Sequence, residues 1–176
     1  MPGKVIGTTL NLGYAGKVSR NPDNIINTKF AKSVLNGSGV ETQPSIAFGD
    51  SVILNTDNTV SPFGASGVDA TFAGIAVAEV KQAITYDSNA AGGYLPAQPV
   101  DVLSRGTATV VCNVGTPTAG GKVYVRVTSN GGNTIVGGFE ATADGAHTIE
   151  ITNLRWTTNR IDANKVAEVT LLSRKV

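Results

Sequence analysis

The sequence is poor in the residues that most protein chemistry needs. It has one cysteine, Cys112, and one histidine, His147. A single cysteine excludes an intrachain disulfide and any multi-cysteine metal site. A single histidine excludes a multi-histidine metal centre, and a Ser-His-Asp arrangement would have to use that one residue. Charged residues make up 15% of the chain, against roughly 25% in a typical soluble domain. Lys and Arg number 14 and Asp and Glu 13, a net charge of +1, so attraction to phosphate is not the driving force and no direct nucleic-acid partner is expected. Aromatic residues are 6% and mostly placed singly. That counts against an adhesin-like or carbohydrate-binding β module, the alternative reading, which would need clustered rings to stack on sugars. No run approaches the ~20 apolar residues of a membrane span, and the first nine residues show no signal-type pattern. No membrane partner is expected, and the chain reads as soluble and intracellular when made.

What is present points to strands. The 176 residues suffice for one domain, or one domain with an appendage. With 41% hydrophobic residues and a mean hydropathy of +0.05, the chain can build a core. Few charges leave a neutral surface that costs little to desolvate against a partner. Twenty-one glycines and seven prolines break the chain often, which disfavours long helices. Period-2 alternation marks Lys122–Val127, with Val123, Val125 and Val127 on one face and Lys122, Tyr124 and Arg126 on the other. Thr107–Val114 places Ala108, Val110, Cys112 and Val114 on one face. His147–Ile151 sends Ile149 and Ile151 inward, and Val166–Leu172 sends Ala167, Val169 and Leu171 inward and Glu168 and Thr170 outward. Phe72–Val80 reads as a less regular buried strand, with a short helix over 77–83 as its competitor. Turn residues at Asn55–Asn58, Ser129–Gly132 and Asp144-Gly145 separate the runs. The spacing predicts an all-β fold, a small antiparallel β-barrel or sandwich, and no βαβ alternation opposes it.

Candidate chemistry mostly resolves into plainer roles. Gly115–Lys122 has glycines and a lysine, but the spacing is one residue off a phosphate-binding loop and a strand follows instead of a helix. His147 opens a strand with no nucleophile elbow or positioned acid for it. Cys112 lies on an apolar face, where a free cysteine acts as a small hydrophobe. Asp50, Asp57 and Asp69 lack the spacing of a calcium loop. No catalytic residue, metal or cofactor is expected. Trp156 suits either core packing, the commoner role, or an interface anchor.

The N-terminal quarter differs. Ser19–Ser45 has turn signals and no sustained period, so residues 1–45 read as an extended N-terminal arm and 46–176 as the β domain. The few large side chains of the arm recover little of the entropy lost in ordering it. The arm is therefore expected to lie against a different protein chain over much of its length, anchored by Ile25, Ile26 and Phe30. A strap around its own barrel is the competing expectation.

Several blocks, in order, carry a resemblance: Gly13-Tyr14-Ala15-Gly16-Lys17-Val18-Ser19-Arg20 with Asp23-Asn24-Ile25-Ile26; Ile46–Asn55; Phe72–Val80; Tyr94 through Pro99 to Leu103 with Arg105-Gly106; Gly121 with Val123-Tyr124-Val125; and Trp156 through Asp162-Ala163-Asn164 to Val169. Together they resemble the structural cement, or capsid decoration, proteins of tailed bacteriophages. The resemblance implies a non-enzymatic virion protein, assembled in the host cytoplasm, on the capsid exterior. Its implied partners are the major capsid protein and further copies of itself, as a dimer or trimer. Residues expected at such an interface are Tyr14, Ile25, Ile26, Phe30 and Trp156.

Overall fold

The computed structural model of the chain describes residues 11–78, 92–132 and 135–173. It is all-β, with helical turns among those residues limited to two three-residue 3-10 segments, Asp69–Thr71 and Gly145–His147. Among the described residues eleven strands follow in order: β1 (Val18–Phe30), β2 (Ile46–Ala47), β3 (Ser51–Leu54), β4 (Val60–Pro62), β5 (Phe72–Ala76), β6 (Gly93–Tyr94), β7 (Pro99–Val114), β8 (Lys122–Arg126), β9 (Phe139–Glu140), β10 (Thr148–Ile161) and β11 (Val166–Leu171).

The long strand β7 belongs to two rings. In the first, β7 pairs with β11, β11 with β10, β10 with β8, β8 with β9, and β9 returns in parallel to β7. Closure removes free sheet edges. In the second, β7 pairs with β5, β5 with β3 and β3 with β4 on one side, and with β1 on the other. A parallel bridge between Ala31 and Val60, with the Lys32 N–H donating to the Val60 carbonyl at 2.8 Å, brings the chain after β1 back to β4. Each ring has a core. The first holds Val110, Cys112, Val125, Phe139, Leu154, Trp156 and Val169, with Phe72, Ile75 and Leu103 reaching in from the second. The other holds Ala31, Ile46, Val52, Val60, Ala73, Ala76, Tyr94, Val100 and Val102.

Serving two cores requires a change of side-chain parity. In β7, Leu103 faces the first core, and so do Ala108, Val110 and Cys112. Leu103 and Ala108 lie five positions apart, an odd separation that strict alternation forbids. The extra residue is accommodated at Gly106, whose φ is +118° and where an added Cβ would fall 1.9 Å from Asn24 Oδ1. β5 does the same at Gly74, φ +152°, where a Cβ would meet the Leu103 carbonyl oxygen at 2.1 Å. That bulge is why Phe72–Val80 alternates poorly in sequence. Val77 and Ala78 are not helical, and the rest of the 77–83 segment lies outside the described residues.

Two residues expected to face outward are buried. Arg126 has no exposed side-chain surface. β9 runs beside β8 and supplies Glu140, whose carboxylate accepts from Arg126 Nε at 2.5 Å and Nη2 at 3.0 Å. Nη2 also donates to Asp144 Oδ2 at 2.8 Å and Nη1 to the Thr128 carbonyl at 3.2 Å. Hydrogen bonding to Glu140 outweighs burial and raises the Arg126 pKa. Glu168 is buried because Ser19 and Arg20 of β1 close over it.

The first part of the N-terminal segment is also a difference. Residues 19–30, part of the Ser19–Ser45 segment expected against another chain, lie in β1 on β7 of the same chain, with register shifts between Val18 and Ile26. Pro22, which has no N–H for a ladder, falls within that irregular stretch.

Candidate capsid-binding surface

After β1 the chain leaves the sheet as a projecting hairpin. Its base is the bridge between Leu35 and Glu41, with the Thr42 N–H donating to the Val34 carbonyl at 2.9 Å. Its tip is the Asn36-Gly37-Ser38-Gly39 turn. Asn36 Oδ1 accepts from the N–H groups of Ser38 and Val40, both at 2.9 Å, and Gly39 supplies a φ of +76°. Glu41 staples the two arms. Its carboxylate accepts from the Ser33 hydroxyl and from the N–H groups of Val34, Thr42 and Gln43 at 2.8–2.9 Å. The Ser33 bond, then those of Gln43 and Val34, hold its pKa down to about 2. Lys29 reaches Asn58 and Lys32 lies 3.6 Å from Asp57, tying the hairpin's foot to the β3–β4 turn.

Every residue from Ser33 to Val40 is exposed. Yet Phe30, Leu35 and Val40 are 62%, 62% and 58% exposed, and Val34 stands beside them. A hairpin that buries none of its own apolar residues has nothing internal to hold it, apart from the Glu41 staple and the foot contacts.

Of the residues expected at an interface, Phe30 stands at the root of this hairpin. Tyr14, 87% exposed, lies at the other end of β1, beside a groove of about 600 Å³ that Phe48 and Lys17 also line. Ile25 lies opposite Arg105 on β1 and is exposed, whereas Ile26 lies opposite Leu103 and packs on the first core. Trp156 is buried in that core and offers no surface in this chain. The turn signals within Ser19–Ser45 do not by themselves reveal the hairpin, which reads in sequence as extended arm. The Glu41 staple had no sequence signal, because its donors are mostly backbone.

The remaining candidates are structural in place. Cys112 is buried, and burial pushes its thiol pKa up. His147 Nδ1 lies 2.9 Å from Thr128 Oγ1. Among the described residues no three His, Cys, Asp or Glu side chains gather as a metal set, and no helix is long and apolar enough to cross a membrane.

A doubly ringed β protein whose salient surface is an apolar projection belongs to the class that works by contact with other proteins. The chain belongs to the XM1 gp53 minor capsid protein family, whose model matches residues 3–171. Among solved structures, a chain of the capsid of Myoviridae phage XM1 has the same fold, with a TM-score of 0.63 and 18% identity over 97% of this chain and 96% of that one. No curated protein matches. Family membership gives the chain a structural role in a phage capsid, associated with its shell.

Proposed function

We propose that the chain is a non-enzymatic cement protein that binds the outer surface of the major capsid protein shell and bridges neighbouring subunits, acting as a small oligomer. The observation that carries this reading is the stapled hairpin, exposed from Ser33 to Val40, with Phe30 at its root and Val34, Leu35 and Val40 on its surface. Burying each large side chain against a shell subunit would contribute ~1.5–3 kcal/mol. The Glu41 staple holds the hairpin ready, which lowers the ordering cost of binding. Bridging is supported by the placement of the two apolar patches. Tyr14 and Phe30 flank β1, a strand of 13 residues, which at ~3.3 Å per residue spans up to about 40 Å. Two contacts on adjacent subunits make the second effectively intramolecular, so modest patches suffice.

Cosedimentation with mature shells tests this. The wild-type chain should sediment with shells, and the double variant Leu35→Asp/Val40→Asp should stay in the supernatant with an unchanged Tm. Retention of the wild type on glycans with no shell binding would replace the cement reading with the adhesin-like one.

A further inference from the structure

The tip of the hairpin is Asn36-Gly37, a carboxamide followed by the one residue whose nitrogen no side chain shields. Asn36 Oδ1 accepts from the N–H groups of Ser38 and Val40, both at 2.9 Å. Asn36 Nδ2 makes no hydrogen bond among the described residues, and the Gly37 N–H donates to none of them. The bond from Ser38 closes a ring that contains both Asn36 Cγ and the Gly37 nitrogen, which keeps the two close. Two donors on Oδ1 draw electron density from Cγ. They also lie where negative charge would develop on that oxygen as a nucleophile added to Cγ. Both residues are exposed, so water reaches them.

The chain has a second such pair, Asn130-Gly131, also exposed. Its surroundings oppose the same chemistry. Asn130 Nδ2 donates to the Asp144 carboxylate, which is itself held by the buried Arg126 at 2.8 Å. The amide nitrogen there is anchored to the first ring, and the neighbouring carboxylate disfavours negative charge on the amide. Gly131 also sits at a φ of +78°, whereas Gly37 lies outside the left-handed region.

We propose that Asn36 is a self-modification site: it deamidates through the Gly37 nitrogen in the folded chain, and the product disarms the contact hairpin. The second half of the proposal rests on the cement reading. The Gly37 nitrogen gives its proton to solvent base and bonds to Asn36 Cγ. The Cγ–Nδ2 bond breaks, and Nδ2 takes a proton from solvent and leaves as ammonia. Water then opens the succinimide at either carbonyl. Opening at Cγ gives aspartate, and opening at the main-chain carbonyl gives isoaspartate, whose chain runs through Cγ. One water is consumed, one ammonia is released, and nothing is oxidised or reduced. Isoaspartate lengthens the backbone inside a turn that depends on the Gly39 N–H reaching the Asn36 carbonyl at 2.9 Å. Either product places a negative charge in Ser33–Val40, which has no charged side chain, beside the exposed Leu35 and Val40. Desolvating that charge against a shell subunit is costly.

The test is to age the full chain at mildly alkaline pH and body temperature and to sequence its peptides by mass spectrometry. A gain of about 1 Da should appear at Asn36, with isoaspartate detected by enzymatic methylation. Asn130 should react at least about tenfold more slowly, a difference that the same chain aged in urea should lose. Gly37→Ala adds a methyl that meets no atom within 4 Å, so it should keep the wild-type Tm. It should slow the reaction at Asn36 at least about tenfold. Equal reaction at the two sites in the folded chain, or an Asn36 that reacts only in urea, would overturn the assignment. In cosedimentation, the aged chain should need at least about tenfold more protein for half occupancy than Gly37→Ala aged alongside it. An aged chain that binds as well as the fresh one would overturn the disarming step. A fresh chain that ignores shells defeats the cement reading, whereas the mass measurement judges Asn36 by itself.

Discussion

The two rings that share β7 both bury an apolar core but differ in what they send outward. The β7–β11–β10–β8–β9 ring turns them inward and even draws an arginine inside, where Glu140, Asp144 and the Thr128 carbonyl meet its donors. The β1–β7–β5–β3–β4 ring is sealed by a single bridge at Ala31 and sends out the hairpin that follows. Half of the twelve exposed large hydrophobic residues among the described ones lie between Tyr14 and Val40: Tyr14, Ile25, Phe30, Val34, Leu35 and Val40. Both rings thus contribute to stability, and the segments flanking β1 of the second carry much of the exposed apolar surface.

The sharpest way to break this comparison is to remove β1. Deleting residues 18–30 strips the 13-residue strand β1 from β7, uncovers Glu168 and unseals the second ring. The isolated protein should lose its cooperative thermal transition. A wild-type transition would show that β1 is an appendage after all.

Within the first ring, Arg126→Ala leaves the Glu140 carboxylate buried without its partner and should cost about 3–5 kcal/mol in urea unfolding. Trp156→Ala should cost a similar ~3–5 kcal/mol through the cavity it leaves. Phe30→Ala on the hairpin root should change stability by no more than about 0.5 kcal/mol. A destabilisation by Phe30→Ala as large as that by Trp156→Ala would erase the division of labour.

How much of this was legible beforehand depended on parity. The runs Val123–Val127 and Ala108–Cys112 gave their inward faces correctly, because a strand lining one core alternates without interruption. Phe72–Val80 was blurred by the bulge at Gly74, and Arg126 and Glu168 were misassigned. A strand pattern shows which residues share a face, not that a partner carboxylate or guanidinium will arrive from 14 or 148 residues away. The N-terminal segment was unreadable for a related reason: β1 has an irregular register, so its period-2 signal is lost. Of the residues expected at an interface, Phe30 is exposed, whereas Trp156 fell into the core.

A smaller effect is expected at Asp50, in the turn before β3. Burial pushes its carboxyl up to about 6, opposed by one hydrogen bond from the Ala47 N–H. The folded chain then binds a proton more readily than the unfolded chain, so stability should fall as pH rises from about 4 to about 6. Asp50→Asn keeps an acceptor for Ala47 and should stabilise the protein at pH 7 by about 1–2 kcal/mol, discounted for the part of the group open to solvent. Thermal melts across that pH range would show no such gain if the carboxylate were well solvated.

The smallest change in global stability is expected at Glu41. Its carboxyl is held down to about 2, so the staple is complete at neutral pH and is lost as pH falls from about 4.5 to about 2. Glu41→Gln should loosen the hairpin, seen as faster amide exchange at Val34, Thr42 and Gln43, while the global Tm stays near wild type. Unchanged exchange there would show that the foot contacts suffice.

The most direct measurement is an electron-microscopy map of shells decorated with this chain. The account predicts that Phe30, Leu35 and Val40 are buried against a shell subunit, with the Tyr14 end of β1 against its neighbour. A map in which the 33–42 hairpin points into solvent, with the β8–β10 face of the first ring on the shell, would contradict it.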